Sequence, residues 1–362
     1  MRATEAVIDL DDADGLLNAD RDGLLRATAM AGAQVRATAA AFDEGVLEPL
    51  RSGQPPRTVV WVAGRGVAET AGAMLAATMG PSAAAPVVVT AQVPPWIGAL
   101  DVIVVAGDDA ADPALVTAAA TGVRRGARVV IAAPYEGPLR DATAGRVVAL
   151  APRVWVPDDF GLARYLAVGL ATLHTVDAGL PADLSALADE LDAEALRNSA
   201  GRDLFTNPAK SLADRISGRD VVLAGDNAAT LALGRHGAAV LLRAAGEAVA
   251  AVGLADLLVG LRNRPSGRRG ETSYESSLFH DDELDGPLPR RVRAFVLTTD
   301  LERPVILARV AGFDGVDVVS AEDVPDAGDG PARGASSRPE HQLATLAVRL
   351  EMTAVYLRLV RG

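Results

Sequence analysis

The chain has 362 residues, of which 49% are hydrophobic and 4% aromatic, and it carries a formal net charge of −12. This length allows two domains, each able to bury its own core. An acidic chain without a basic block argues against nonspecific binding to nucleic acid or to an anionic membrane surface. The absence of cysteine excludes disulfides, thiolate metal sites and cysteine nucleophiles.

The first 50 residues are predicted to form a helical segment. Apolar residues recur there at roughly helical spacing behind an aspartate-rich start, at Leu17, Leu24, Ala27, Ala31 and Val35. This start lacks the basic flank and apolar run of a signal peptide, and no apolar stretch of the chain reaches about 20 residues without a charge. We therefore expect a cytoplasmic protein with no membrane span.

A first α/β lobe is predicted for residues 51–179. Short β-branched runs alternate there with alanine-rich stretches of helical length, which is typical of a parallel sheet with helices on both faces. The runs that predict strands cover residues 58–63, 87–90, 102–107, 128–133 and 147–150. A helix is expected over 159–178, and residues 180–210 are expected to form an acidic helical bridge.

Residues 211–362 repeat this pattern and predict a second lobe. Apolar runs that predict strands cover residues 220–225, 293–299, 304–310 and 316–321. A linker rich in Gly, Pro, Asp and Ser follows near 323–339, and an amphipathic helix closes the chain. The fold class is therefore α/β, with two doubly wound parallel-sheet lobes of three layers and helical N- and C-terminal segments.

Two glycine-containing turns are the candidate ligand sites, because open parallel sheets bind ligands outside the carboxyl ends of their strands. The first contains Gly64, Arg65 and Gly66, directly after the run at 58–63. It lacks the third glycine of a dinucleotide fingerprint, which argues against NAD. The second contains Gly107, Asp108 and Asp109, after the run at 102–107.

The order of several short motifs along nearly the whole chain resembles a known family. These motifs are Asp12–Leu17 followed by Gln34, Pro94-Pro95-Trp96, Asn207-Pro208-Ala209-Lys210, Phe279-His280-Asp281-Asp282-Glu283, and Met352–Leu357. Together they resemble the bifunctional phosphoglucose/phosphomannose isomerases of the sugar-isomerase (SIS) superfamily, and most of all the actinobacterial branch labelled TobH. The resemblance implies two SIS-type lobes, a phosphorylated hexose or sugar derivative as ligand, and a homodimer.

The resemblance also implies a chemistry, the interconversion of glucose 6-phosphate or mannose 6-phosphate with fructose 6-phosphate, without metal or cofactor. His280 matches the family's histidine, which assists ring opening. Glu247 is the candidate for the glutamate that shuttles the proton between C1 and C2, although Leu241 and Leu242 stand where the family's spacing puts it.

The phosphate-binding turns depart from the family's pattern. The family holds the sugar phosphate there with serine and threonine hydroxyls, whereas this chain has Asp108 and Asp109, and a carboxylate repels a dianionic phosphate. Arg235 and Arg243 are candidate phosphate or carboxylate partners. By analogy with the family, His341 is a further candidate ligand contact.

Two other functions stay open at this point. The chain can be a non-catalytic SIS module that binds a sugar derivative, a nucleotide-sugar or a partner enzyme, and Asp108 and Asp109 favour that alternative. It can also be a purely structural dimer or regulator. His280 and the whole-length resemblance favour the isomerase.

Overall fold

Two parallel β-sheets organise the chain, and the structure, a computed structural model, describes residues 8–263, 292–322 and 338–361. Three helices precede the first sheet: α1 (Ala13–Ala19), α2 (Leu24–Ala29) and α3 (Ala31–Asp43). The predicted N-terminal helical segment is therefore broken into short pieces. The Asp20 side chain accepts hydrogen bonds from the first two backbone N–H groups of α2, those of Leu24 and Leu25, and so stabilises the start of this helix.

The first sheet has five parallel strands in the order β2-β1-β3-β4-β5. The strands are β1 (Thr58–Val62), β2 (Val87–Thr90), β3 (Asp101–Ala106), β4 (Arg128–Ala132) and β5 (Val148–Ala149), and the helices are α4 (Gly66–Met79), α5 (Pro113–Arg124), α6 (Gly137–Thr143) and α7 (Leu162–Val176). Each predicted run of this lobe forms a strand. The strand order reverses between β1 and β3. The connections that leave the carboxyl ends of these two strands therefore run in opposite directions, which opens a crevice between them.

Both faces of this sheet are buried, as continuous apolar runs require. Alternate residues of a strand point to opposite faces. Val60 and Ile103 pack with Leu115 of α5 on one face, whereas Trp61 and Val104 belong to the core on the other face, with α4 and α7.

The second sheet has four parallel strands in the order β7-β6-β8-β9. After α8 (Leu184–Arg197) and α9 (Pro208–Ile216), its elements are β6 (Asp220–Gly225), α10 (Ala228–Ala245), β7 (Ala250–Gly253), α11 (Leu254–Arg262), β8 (Val292–Leu297), α12 (Arg303–Val310), β9 (Val316–Val319) and α13 (Pro339–Arg361). Two parallel sheets flanked by helices confirm the predicted α/β fold class.

One predicted strand of the second lobe is wrong. The run at 304–310 forms α12, since two parallel neighbours such as β8 and β9 need a crossover connection and not a strand between them. Pro304 fits the first turn of this helix. Ile306 and Val310, four residues apart, are buried, whereas Val305 and Leu307 are exposed. The short strand β7 was not predicted, because Ala250–Gly253 contains one β-branched residue.

The two sheets share a central layer of helices. Helix α10 packs against α4 of the first lobe and against α13, and one hydrophobic core runs through all three. Almost every residue of α13 is buried, which explains why its amphipathic stripe is weak. No helix within the described ranges combines the length and apolar character needed to cross a bilayer.

The Asn207-Pro208-Ala209-Lys210 motif forms the start of α9. The Asn207 side chain caps the helix by accepting from the Lys210 backbone at 3.0 Å. The Lys210 ammonium is buried and donates to the carbonyls of Ala200 and Arg202, each at 2.8 Å. Burial lowers the pKa of Lys210, and nearby aspartates partly oppose this. The motif thus joins the segment after α8 to the second lobe.

Candidate functional site

A cavity of about 320 Å³ lies at the carboxyl ends of β1 and β3. Both predicted turns line it, with all six of their candidate residues: Gly64, Arg65, Gly66, Gly107, Asp108 and Asp109. The turn at the start of α7 and the last turn of α10 complete the wall, through Asp158, Asp159 and Arg243. Helix α10 belongs to the second lobe, so both lobes contribute to the cavity.

The first turn presents the N-terminus of α4 to the cavity. Gly66 has a φ of +68°, in the left-handed region that favours glycine. Arg65 occupies the N-cap position and makes no side-chain cap. The first backbone N–H groups of a helix have no intrahelical acceptor. Those of α4 are therefore available to an anion in the cavity.

In the second turn, Asp108 is bound by two side chains of α7. The Tyr165 hydroxyl donates a short hydrogen bond to its carboxylate, and Arg164 Nη2 donates to the same oxygen at 3.3 Å. Arg164 is almost fully buried and stacks on the Tyr165 ring, 4.0 Å from its centroid. Burial strongly raises the pKa of Tyr165, so this phenol stays protonated and remains a donor.

Arginines also hold three of the other four carboxylates of the cavity wall. Arg65 lies 3.2 Å from Asp112 and 3.9 Å from Asp109, and Arg243 pairs with Asp159. The arginine side chains are 73% exposed for Arg65 and 40% for Arg243. Both arginines can therefore turn toward a ligand at the cost of a solvent-screened ion pair.

Asp158 differs from its neighbours. Among the described residues, its side chain makes no hydrogen bond and no ion pair. Asp158 is exposed at the cavity wall. Desolvation there and the negative charges of Asp108 and Asp159 raise the pKa of Asp158, while Arg164 acts in the opposite direction. This carboxylate therefore holds a proton more strongly than an ordinary aspartate.

Of the candidate residues outside these two turns, Arg243 lines the cavity, whereas Glu247, Arg235 and His341 do not. Glu247 follows the end of α10 and pairs with Arg361 of α13. Arg235 is exposed on α10 and does not line the cavity. His341 is buried on α13, with Nδ1 3.1 Å from Glu190 of α8. His280 lies outside the described residues.

Sequence reasoning missed the contribution of α7 and the turn before it. A buried arginine within the apolar run LARYLAVGLATL is a signal that could have been used, because a buried charge needs a partner. Gln34, noted only as part of a motif, donates to the Phe160 carbonyl at 2.9 Å and fixes this turn. Among the described residues, no three histidine or carboxylate side chains are placed so that they could hold a metal ion.

Comparison by sequence gives no match, either to a protein-family model or to a curated protein. Comparison by structure gives many. Tagatose-6-phosphate ketose/aldose isomerase of Escherichia coli superposes with a TM-score of 0.60 at 13% identity, over 94% of this chain and 91% of that chain. The C-terminal domain of glucosamine-fructose-6-phosphate aminotransferase of Francisella tularensis gives 0.58 at 11% identity, over 96% of each chain.

A glucose-6-phosphate isomerase-like protein of Thermus thermophilus is similar over 98% of this chain and 96% of its own length, at 18% identity and a TM-score of 0.50. These similarities span both lobes. They are too remote in sequence to carry residue roles from one protein to another. The chain therefore has the two-sheet fold of the SIS-type phosphosugar isomerases.

Proposed function

We propose that this protein binds a hexose 6-phosphate in the cavity at the ends of β1 and β3 and interconverts its aldose and ketose forms. The substrates would be glucose 6-phosphate or mannose 6-phosphate and fructose 6-phosphate, as the resemblance to the TobH-like branch implies. The observation that carries the proposal is that six residues, chosen from sequence alone, line one cavity of about 320 Å³ in a phosphosugar-isomerase fold. The protein would act in the cytoplasm.

The phosphate would bind without the hydroxyl-rich loop of the family. The uncapped start of α4 offers backbone N–H groups and the positive end of a helix dipole. Arg65 and Arg243 stand at the same cavity and can exchange their aspartate partners for the phosphate. Arg164 already neutralises Asp108, which reduces the repulsion that this loop would exert on a phosphate.

The sugar hydroxyls would contact the carboxylates. Carboxylates accept hydrogen bonds from hydroxyl groups, and charge-assisted bonds of this kind are the stronger ones. His280 would assist ring opening, delivered from its own chain or from the partner in a homodimer.

The test is an assay of purified protein with fructose 6-phosphate, in which glucose 6-phosphate and mannose 6-phosphate are measured by NMR. We expect interconversion in both directions and its loss in His280→Ala. Arg65→Gln should raise KM tenfold or more, because a hydrogen bond to a charged group contributes about 1.5–3 kcal/mol. Absence of turnover in the wild-type protein would contradict the proposal, and binding without turnover would favour a non-catalytic module.

A further inference from the structure

We propose that Asp158 is the carboxylate that moves the proton between C1 and C2 of the sugar. This inference rests on the function proposed above and adds a catalytic residue to it. Asp158 begins the short 3-10 turn Asp158–Phe160 in front of α7 and lines the cavity formed by the two predicted turns.

The five carboxylates of the cavity differ in their ion pairs. Arginines pair with four of them: Asp108, Asp109, Asp112 and Asp159. A carboxylate in an ion pair is a weaker base, because the neighbouring positive charge lowers its pKa. Within the described part of the chain, Asp158 is the member of this set that makes no ion pair, so its availability does not depend on Arg65 or Arg243 leaving an aspartate for the phosphate.

Backbone hydrogen bonds hold the turn that carries Asp158. The backbone carbonyl of Asp158 accepts from Gly161 at 3.3 Å. The carbonyl of Phe160, two residues later, accepts from the buried side chain of Gln34 at 2.9 Å. The backbone of the turn is thus fixed from within and from α3, which holds the Cα of Asp158 at the cavity wall.

The surroundings of Asp158 also make it more basic. Desolvation at the cavity wall and the charges of Asp108 and Asp159 raise the pKa of Asp158, with Arg164 opposing them. A carboxylate works better as a base toward a carbon acid when its pKa is closer to the working pH. The environment of Asp158 shifts its pKa in that direction.

Glu247, the candidate proposed from the sequence, lies away from the cavity. It lies beyond the end of α10, pairs with Arg361 and does not line the cavity. Leu241 and Leu242, where the family's spacing puts the glutamate, have no ionisable group. Among the described residues, the second lobe brings Arg243 to the cavity and no carboxylate.

The proposed reaction moves one proton from C2 to C1 of the sugar and leaves its overall oxidation state unchanged. The Asp158 carboxylate removes the proton from C2 of the open-chain aldose, and the C–H electron pair forms the C1=C2 bond while O1 takes a proton from an acid of the site. Asp158 then returns its proton to C1 of the enediol. The O2 proton goes back to that acid as the C2 carbonyl forms, so no external oxidant or reductant takes part.

The experiment measures deuterium incorporation at C2 and C1 of the hexose phosphates in D₂O by NMR, together with binding by titration calorimetry. We expect Asp158→Asn and Asp158→Ala to lose exchange and turnover by about 100-fold or more, with Kd within about threefold of wild type. Formate should restore part of the activity of Asp158→Ala. The matched control is Asp214→Asn, at an exposed aspartate of α9, which should retain wild-type exchange.

Wild-type exchange in either folded Asp158 variant would overturn the assignment and leave the proposed function standing. A wild-type protein that neither exchanges nor turns over would overturn both. The two failures are distinguishable, because the first leaves every protein active and the second leaves every protein inactive. Since the Asp158 side chain makes no bond to the described residues, either variant should fold, and circular dichroism checks this.

Discussion

A buried ion pair between Glu194 and Arg349 joins the helical bridge to the C-terminal helix. Arg349 Nε donates to Glu194 Oε1 at 2.7 Å, and both side chains are almost completely buried. Arg197 and Asn198 donate to the same carboxylate. Arg349 also donates to the carbonyls of Ser320 and Ala321, each at 2.8 Å. One guanidinium thus connects α8, α13 and the end of β9.

Glu194→Gln should destabilise the protein by about 3 kcal/mol, because it leaves the buried Arg349 without its counter-charge. Denaturant unfolding followed by circular dichroism measures the change. The matched control is Glu48→Gln, an exposed glutamate paired with Arg51, which should change stability by less than about 0.5 kcal/mol. Equal stability of the wild type and Glu194→Gln would contradict the network's role.

The ion pair between Glu194 and Arg349 also makes the stability of the protein depend on pH. Burial alone would raise the pKa of Glu194, but Arg349 and Arg197 outweigh it and hold the pKa below its ordinary value of 4.5. A lowered folded-state pKa contributes stability that is present above the unfolded value and lost as the pH falls through the folded one. The difference in unfolding free energy between the wild type and Glu194→Gln should therefore shrink as the pH falls below about 4.5. Unfolding curves measured from pH 7 to pH 3 check this.

Close packing of α4 on β1 sets the position of the first cavity turn. The Trp61 indole of β1 donates to the Ala68 carbonyl of α4 at 2.9 Å. A Cβ at Gly72, one turn further along α4, would lie 2.4 Å from Trp61 Cδ1. The helix can therefore approach the sheet only because residue 72 has no side chain.

Gly72→Ala should destabilise the protein by about 1–3 kcal/mol through overpacking. The control is Gly260→Ala on the exposed face of α11, where a Cβ meets no atom of the described residues within 4 Å. It should be neutral or stabilise the protein by up to about 1 kcal/mol, through better helix propensity. Thermal unfolding separates the two, and a stabilised Gly72→Ala protein would contradict the packing account.

At the level of elements, the first lobe could be predicted almost completely. Continuous β-branched runs between alanine-rich helices are typical of one architecture, a parallel sheet covered by helices on both faces. The structure of the run at 304–310 could not be predicted, because a short apolar run fits a strand and a helix equally well when its tertiary context is unknown. The two turns of the cavity were predictable from their glycines. Asp158, Asp159 and Arg164 were not, because they approach from an element about 50 residues later in the chain.

The whole molecule is expected to be a homodimer, as part of the proposed function. An apolar groove of about 510 Å³ lies among α1, α2, α8 and α13, and it has exposed Leu17 and Leu196 on its walls. Exposed apolar patches of this kind are typical of interfaces. Light scattering should give twice the chain mass for the wild type and for the control Leu301→Glu, whose exposed leucine lies outside the groove.

The double variant Leu17→Glu with Leu196→Glu should be monomeric, because two charges in the groove would have to be buried on association. A wild-type monomer at micromolar concentration would contradict the proposed homodimer. A double variant that stays dimeric would assign the interface to another surface.

The proposed function requires that the cavity at the carboxyl ends of β1 and β3 is the sugar-phosphate site. A crystal soaked with fructose 6-phosphate tests this most directly. We expect the phosphate within hydrogen-bonding distance of Arg65 and of the first backbone N–H groups of α4, with C1 and C2 next to Asp158. A cavity that stays empty at saturating ligand, or a sugar phosphate bound only at another place in the molecule, would contradict it.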